Sequence, residues 1–189
     1  MRVVAGIAGG IHLVSPGTDL RPTMEVVKNA IFNSLMELVP DAHILDLFAG
    51  SGGLGIEALS RGAASCTFVE ENRKATDAIR KNLEKTRLSG GEIVAADAMK
   101  WLGKSAAAGA YHIIIADPPY AKRAGERDFT PELLECEPLR AALAPGGVFV
   151  LEHLPGATLE LGGRWECFRQ KRYGATEVAF LRAVDASAS

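Results

Sequence analysis

The sequence predicts an α/β fold, in which helices cover both faces of a mostly parallel sheet. Residues 113–116 read Ile-Ile-Ile-Ala, and a run that is apolar on both faces is typical of a buried parallel strand. Residues 43–47 form a second short strand, which passes into a glycine-rich loop and then a helix. A strand, a glycine loop and a helix in this order form the unit from which doubly wound sheets are built.

The 189 residues are enough for one globular domain with a sizeable core. The hydrophobic fraction of 48% and the charged fraction of 23% are ordinary for such a domain. The formal net charge of −2 lacks the basic excess of many nucleic-acid binders, so any basic contact surface must be local. The three cysteines form no Cys-x-x-Cys pair, which argues against a metal site or disulfides and favours the cytoplasm. We recognise no signal peptide and no apolar run long enough to span a membrane.

The N-terminal residues predict a small extension followed by the first helix. Residues 2–14 predict a short β-hairpin that turns at Gly9-Gly10. The first helix is expected to begin at Pro22, since proline suits a first helical turn. Arg21 stands at this helix start and is a candidate contact for a phosphate or for the cofactor. The expected organisation is a hairpin extension at residues 1–20, a main domain at 21–183 and a flexible tail at 184–189.

The loop after the strand at residues 43–47 carries the pattern Gly-x-Gly-x-x-Gly, formed by Gly50, Gly52 and Gly55. Such a loop lets the backbone approach a bound nucleotide closely, and by itself it suggests a dinucleotide. Asp46 precedes the loop, where a carboxylate would repel a pyrophosphate but attract an ammonium group. We therefore predict a pocket for S-adenosylmethionine, with a nicotinamide dinucleotide as the alternative. The predicted cofactor contacts in this loop are Asp46, Phe48, Gly50, Ser51 and Gly52.

Two further strands end in acidic residues at the same edge of the predicted sheet. The strand at residues 66–70 ends at Glu70, about 20 residues after the glycines, where an acidic side chain holds ribose hydroxyls. Glu71 follows directly and is included in this predicted contact. The third strand ends at Asp97, whose carboxylate can accept a hydrogen bond from an adenine amino group. The backbone N–H of Ala98 or of Met99 is then placed to bind the adenine ring.

The strand at residues 113–116 stops at Asp117-Pro118-Pro119-Tyr120, because neither proline has an N–H for the sheet ladder. The Asp117 carboxylate and the Pro118 carbonyl can accept both N–H bonds of an exocyclic base amine, which frees its lone pair for attack. Tyr120 offers a face on which the base can stack. The prolines hold these groups in place before a substrate arrives. These four residues are the predicted catalytic loop, and its two acceptors serve guanine and adenine amines alike.

The rest of the chain predicts surfaces that contact a substrate around this loop. Lys122 and Arg123 follow the loop in a charged stretch without apolar period, which indicates a segment that grips the substrate. The elements expected beyond it are a helix at residues 130–143, a strand at 148–152 and an antiparallel hairpin of residues 164–173 and 175–182. The hairpin is locally basic, and its tip at Lys171-Arg172-Tyr173 is a candidate phosphate contact.

Four signals in this order resemble the S-adenosylmethionine-dependent amino-methyltransferases. They are the Asp-x-Phe-x-Gly-Ser-Gly loop at residues 46–52, the strand ends Glu70 and Asp97, and the Asp-Pro-Pro-Tyr loop at residues 117–120. The Arg-Pro-Thr helix opening, the Val-Lys-Asn-Ala-Ile-Phe-Asn stretch at residues 27–33 and the short hairpin are similar more narrowly to the RsmD family. The resemblance extends from Arg2 to about Arg182. It departs from the family at the hairpin tip, where the usual basic residue is replaced by an apolar residue or by His12.

The resemblance implies a Rossmann-like class I methyltransferase with a seven-stranded sheet of order 3-2-1-4-5-7-6, whose seventh strand is antiparallel. It implies methyl transfer from S-adenosylmethionine to the N2 amine of a guanine in 16S ribosomal RNA. The implied partners are the 30S subunit and its ribosomal proteins, and we expect a monomer that acts in the cytoplasm. A DNA amino-methyltransferase stays an alternative, although the chain has no insertion large enough to read a DNA groove. A nicotinamide-dependent oxidoreductase is the alternative of another class.

Overall fold

In the computed structural model, which describes residues 1–15, 22–121 and 125–184, a seven-stranded sheet forms the centre of the protein. The strands are β1 (His43–Leu47), β2 (Ser65–Glu70), β3 (Gly91–Ala95), β4 (Tyr111–Ala116), β5 (Leu143–His153), β6 (Trp165–Tyr173) and β7 (Thr176–Ala183). Their order is β3-β2-β1-β4-β5-β7-β6. Strands β1 to β5 run parallel, and β7 is antiparallel to both β5 and β6. The predicted α/β class and strand order are therefore confirmed.

Helices cover both faces of this sheet. They are α1 (Pro22–Leu35), α2 (Gly53–Ser60), α3 (Arg73–Thr86), α4 (Ala98–Ser105), α5 (Phe129–Glu135) and α6 (Glu137–Ala142). Buried side chains of α1, α2 and α3 share one core cluster with one face of the strands, and those of α4, α5 and α6 share a second cluster with the other face. Among the described residues, no helix is long and apolar enough to cross a membrane.

The N-terminal residues pair as predicted, but the predicted two-residue turn is wrong. An antiparallel bridge joins Arg2 to His12, and the chain between them forms a wider loop. The backbone N–H groups of Val4 and Ala5 donate to the carboxylate of Glu57 in α2, at 2.7 and 3.0 Å. Because α2 satisfies these donors, the loop docks onto the helix and does not form a tight hairpin ladder.

Glu57 ties this N-terminal segment to two helices. Its carboxylate is fully buried and lies 3.2 Å from Lys28 Nζ of α1 and 2.8 Å from Arg61 Nε. Lys28 is itself buried, and burial lowers the pKa of its ammonium group. A buried carboxylate with two cations and two backbone donors has its charge and lone pairs satisfied. The N-terminal loop is therefore held firmly in place beside α1.

The helix predicted at residues 130–143 is two helices. Helix α5 ends before Cys136, and α6 starts at Glu137 with a proline in its first turn. Pro138 has no N–H to donate to the preceding turn, so a continuous helix would lose a hydrogen bond there. The remaining elements match their predicted positions to within a few residues at each end, apart from β5. That strand begins at Leu143, earlier than expected.

Candidate active site

The candidate site lies at the carboxyl ends of β1, β4 and β5. In the sheet, Leu47 pairs with Ala116, and Ala116 pairs with Leu151. The residues that follow Leu47, Ala116 and Leu151 therefore lie at the same height along the strand direction. In this way Asp117, directly after β4, comes beside Glu152, near the end of β5. Ligands of open α/β sheets bind at this edge of the strands.

Two adjoining cavities open at this edge. Cavity A has a volume of about 520 Å³ and is bordered by α1, the N-terminal residue and the turn before β7. Cavity B has a volume of about 700 Å³ and lies over the ends of β2 and β3. Both cavities are lined by Phe48, Gly50, Asp117 and Tyr120. These four residues therefore mark the place where ligands in the two cavities would meet.

The loop between β1 and α2 takes a backbone conformation that glycine makes possible. Gly50 and Gly52 have φ angles of 54° and 80°, and Phe48 between β1 and these glycines has a φ of 58°. A positive φ is costly for an aromatic residue and is typical of functional loops. The carboxylate of Asp46 accepts the N–H of Gly55 at 2.8 Å and so holds the start of α2 against the strand. The loop is thereby shaped before any ligand binds.

Asp46 is the most deeply buried carboxylate of cavity A, with 2% of its surface exposed. Burial, together with the negative charges of Asp117 and Glu70, raises the pKa of Asp46 to about 7, although the N–H of Gly55 opposes this shift. A carboxyl group held in this way gains from a positive charge in the cavity. This electrostatic setting fits the ammonium group of an amino acid.

Cavity B has the polar and aromatic groups that a nucleoside requires. Glu70 accepts the N–H of Gly50 and the N–H of Asn72, each at 2.8 Å, and this fixes its carboxylate at the cavity edge. Asp97 accepts the N–H of Lys100 through Oδ1, and its Oδ2, which lies 3.9 Å from a guanidinium nitrogen of Arg127, can still accept a hydrogen bond from a ligand. Phe129 packs edge-on against Phe48, with ring centroids 4.9 Å apart, and lines the same cavity.

Arg127 contacts two of the residues that line cavity B, Asp97 and Phe129. Its guanidinium forms two hydrogen bonds with Glu132, at 2.7 and 2.6 Å, and lies 4.4 Å from the ring centre of Phe129. A nitrogen of the same group is 3.9 Å from Asp97. This arrangement holds the Phe129 ring in place and balances the charge of Asp97.

The loop after β4 is tied to the C-terminal hairpin. Pro118 is buried and Pro119 is exposed, so the first proline anchors the loop to the sheet. The hydroxyl of Tyr120 lies 2.5 Å from the hydroxyl of Thr176, which in turn donates to Glu152 Oε2 at 3.2 Å. Burial raises the pKa of Tyr120, so this phenol stays protonated. A chain of hydrogen bonds thus links the catalytic loop to β7 and β5.

Two carboxyl groups meet in cavity A beside this chain of hydrogen bonds. Burial raises the pKa of Asp117. Burial also raises the pKa of Glu152, and the neighbouring negative charge of Asp117 raises it further. Within the described residues, no group of His, Cys, Asp and Glu side chains is arranged to bind a metal ion.

Comparison with known proteins identifies the family. The family model described as conserved hypothetical protein 95 matches residues 1–182. Ribosomal RNA small subunit methyltransferase D of Escherichia coli (strain K12) is 38% identical over 136 residues, which are 71% of this chain and 67% of that protein. The putative rRNA methyltransferase YlbH of Bacillus subtilis (strain 168) is 36% identical over 186 residues, which are 96% of this chain and 98% of that protein. The chain belongs to the RsmD family.

A solved structure of the same kind agrees with this assignment. The putative methyltransferase yhhF from Escherichia coli has a TM-score of 0.79 and 31% sequence identity, and the match covers 97% of each chain. As a member of the RsmD family, the protein is a methyltransferase that uses S-adenosylmethionine. S-adenosylmethionine therefore replaces the nicotinamide dinucleotide that the glycine loop, taken alone, also suggested as the ligand.

The structure brings most of the predicted site residues of this RsmD member together. Those that line one or both cavities are Asp46, Phe48, Gly50, Ser51, Glu70, Glu71, Asp97, Ala98, Asp117, Pro118, Pro119 and Tyr120. Gly52 does not line either cavity. A Cβ on this residue would lie 3.2 Å from side-chain atoms of Ile56 and Ile79, so Gly52 serves the close packing of the loop.

The predicted substrate contacts are placed differently. Lys171 and Arg172 are exposed on β6 and line neither cavity, although the turn that follows Tyr173 borders cavity A through Gly174 and Ala175. The predicted contacts Arg21, Lys122 and Arg123 lie outside the described residues.

Four site residues were not predicted from the sequence. They are Asn72, Phe129, Glu152 and Thr176. An acidic residue at the end of an apolar strand was the signal used for Glu70 and Asp97, and Glu152 carries the same signal at the end of residues 148–151. Phe129 and Thr176 have no such local signal, because they reach the cavities only through the folded position of α5 and β7.

Proposed function

We propose that this protein transfers the methyl group of S-adenosylmethionine to the N2 amine of a guanine in 16S ribosomal RNA of the 30S subunit. The observation that carries the proposal is the position of Asp117 at the junction of the two cavities, on a loop stiffened by two prolines. The Escherichia coli relative is named as a methyltransferase of small-subunit ribosomal RNA, which supports that RNA as the substrate. The choice of the N2 amine of guanine follows the RsmD resemblance.

Cavity B is the proposed site of the adenosine part of the donor. Glu70 would hold the ribose hydroxyls, and Oδ2 of Asp97 would accept a hydrogen bond from the adenine amino group. The backbone N–H of Ala98 would reach the adenine ring, whose face would lie against Phe129. The methionine part would extend past Gly50 into cavity A, where Asp46 meets its ammonium group.

Asp117 and the carbonyl of Pro118 are proposed to bind the two N–H bonds of the target amine. This favours a pyramidal nitrogen, whose lone pair then points at the junction of the cavities. When bound there, the donor sulfonium supplies an activated methyl group and a neutral sulfide leaving group. The nitrogen forms a bond to the methyl carbon as the carbon–sulfur bond breaks, and the surplus proton of the amine passes to Asp117 and on to solvent.

The target base must leave its helix or stack to reach Asp117, since the loop lies inside a cavity. Tyr120 is the proposed stacking surface, and its hydrogen bond to Thr176 holds the ring in position. Lys171, Arg172 and Tyr173 on the hairpin are proposed to contact the RNA near the cavity mouth. Arg21, Lys122 and Arg123 are proposed to take part in the same contacts. We further propose that the protein acts as a monomer on the partly assembled 30S subunit.

Methyl transfer from labelled S-adenosylmethionine to three substrates tests this proposal. The substrates are 30S particles from cells that lack the modification, naked 16S RNA and duplex DNA, each followed by nucleoside mass analysis. The proposal predicts N2-methylguanosine in the 30S particles. A methylated adenine or cytosine in the DNA would support methyl transfer to an amine but would contradict RNA as the substrate. The absence of transfer to all three substrates would contradict both the reaction and the substrate.

A further inference from the structure

Cavity A contains a carboxyl group that the proposed methyl transfer does not use. Glu152 is 8% exposed and lines this cavity. Because Ala116 pairs with Leu151 in the parallel sheet, Asp117 and Glu152 extend from neighbouring strands at the same level. Neighbouring strands are about 4.8 Å apart, so the two carboxyl groups can contact adjacent atoms of one planar ligand.

Hydrogen bonds hold Glu152 as an acceptor when its carboxyl group is ionised, and an N–H donor bound beside it favours this form against the burial that raises its pKa. Thr176 has a single hydroxyl proton, which it donates to Glu152 Oε2 at 3.2 Å. Tyr120 must then be the donor in its 2.5 Å contact with Thr176. This direction leaves Glu152 Oε1 to accept from a ligand in cavity A. Tyr120, Thr176 and Glu152 therefore connect the proposed stacking surface to an acceptor beside Asp117.

The atom next to the reacting amine differs among the bases. In adenine the ring atom beside the N6 amine on the Watson–Crick edge is N1, which carries a lone pair, and in cytosine it is N3, which also carries a lone pair. In guanine the ring atom beside the N2 amine is N1, which carries a hydrogen. An acceptor placed next to the amine site therefore gains a hydrogen bond from guanine and meets a lone pair in adenine or cytosine.

We propose that Glu152 selects guanine by accepting its N1–H while Asp117 holds the neighbouring N2 amine. This inference rests on the proposed function and adds the group that the amine-binding loop lacks, since Asp117 and Pro118 bind any exocyclic amine. Thr176 acts as a positioning residue that fixes which oxygen of Glu152 faces the base. Burial makes the selection strong, because an unpaired acceptor in a cavity loses its hydrogen bond to water without replacement.

The base 2,6-diaminopurine separates the two contacts. It keeps the 2-amine that Asp117 binds but carries a lone pair at N1 in place of the hydrogen. The methylated guanine is first mapped on unsubstituted particles. 30S subunits are then reconstituted with 16S RNA that carries either guanine or 2,6-diaminopurine at that position, and kcat/KM is measured for both. We expect the wild-type protein to prefer guanine by about tenfold to 100-fold.

The variant Glu152→Gln changes the acceptor into a group that can also donate to a lone pair at N1. We expect this variant to lose activity on guanine, and the preference for guanine over 2,6-diaminopurine to fall at least tenfold. Glu166→Gln makes the same chemical change at an exposed position of β6, and it is expected to keep the wild-type preference.

Equal kcat/KM values of the wild-type protein for the two bases would overturn the inference, even if Glu152→Gln failed to fold. A folded Glu152→Gln variant with the wild-type preference would overturn it as well. Failure of the proposed function has a different signature, namely the absence of N2-methylguanosine on unsubstituted particles. A preference for guanine that the variant removes is the supporting result.

Discussion

The hydroxyl groups of Tyr120 and Thr176 lie 2.5 Å apart and join the loop after β4 to the start of β7. Replacing Thr176 with valine keeps the shape of the side chain but leaves Tyr120 and Glu152 without their shared partner. We expect Thr176→Val to lower the free energy of unfolding by about 1–3 kcal/mol and to lower kcat for RNA methylation. Urea unfolding and steady-state kinetics measure the two effects. Thr176→Ser keeps the hydroxyl and should retain most of the stability and most of the activity. A Thr176→Val variant as stable and as active as the wild type would contradict the role assigned to Thr176.

Glu70 is fixed by two backbone N–H donors, so it presents a rigid carboxylate to cavity B. In Glu70→Gln, the amide NH₂ must face one of these N–H groups and loses that hydrogen bond. We expect the KM for S-adenosylmethionine to rise about tenfold or more, because the displaced side chain no longer holds the ribose. The kcat should change little, because the ribose contact is equally strong before and during the reaction. Glu92→Gln, at an exposed position of β3, is the matched control. A Glu70→Gln variant with unchanged donor affinity would remove Glu70 from the ribose site.

The raised pKa of Asp46 makes stability depend on pH in a defined direction. The unfolded carboxyl group has a pKa near 4, and burial together with the neighbouring negative charges raises the folded value to about 7. Between these values the folded state holds a proton that the unfolded state has released. The free energy of unfolding of the donor-free protein should therefore fall as pH rises from about 4 to 7.

The variant Asp46→Asn tests this pH dependence because it keeps an acceptor for the N–H of Gly55 but cannot ionise. Its free energy of unfolding should fall less than that of the wild type between pH 5 and 7, by about 1 kcal/mol or more. Urea unfolding at pH 5, 6 and 7 provides the comparison. Parallel curves for the two proteins would show that Asp46 titrates as an ordinary carboxyl group.

The exposed basic residues of β6 give a prediction about salt. If Lys171 and Arg172 contact phosphates, the double variant Lys171→Ala/Arg172→Ala should bind its RNA substrate more weakly. The slope of log affinity against log salt should become shallower by about one for each lost contact. Lys81→Ala removes a charge from an exposed position of α3 and should leave the slope unchanged. An unchanged slope in the double variant would place the RNA elsewhere.

The parts of the fold and of the site that could be predicted from the sequence are those determined by residues close to one another in the chain. The glycine loop needs positive φ angles at Gly50 and Gly52, and a sequence shows glycines directly. The acidic residues Asp46, Glu70 and Asp97 stand at strand ends, and parallel strands bring such ends to one edge whatever the details of packing. The prolines after Asp117 likewise end their strand for a reason that lies within four residues.

The parts that the sequence did not predict depend on contacts between distant segments. Val4 and Ala5 turn away from a hairpin because Glu57, more than fifty residues later, accepts their N–H groups. Thr176 reaches Tyr120 across 56 residues, which no spacing rule captures. Such contacts are fixed by how helices and strands pack as a whole, and a single sequence carries no local trace of them.

The central claim is that Asp117 binds the amine that receives the methyl group and takes no part in holding the donor. Single-turnover methyl transfer to unmodified 30S particles at saturating S-adenosylmethionine, together with calorimetric donor binding, tests it in the variant Asp117→Ala. The exposed Asp77→Ala serves as control. We predict that Asp117→Ala slows transfer by at least about 100-fold, while the donor affinity stays within about threefold of the wild type. A wild-type transfer rate in Asp117→Ala would contradict the account.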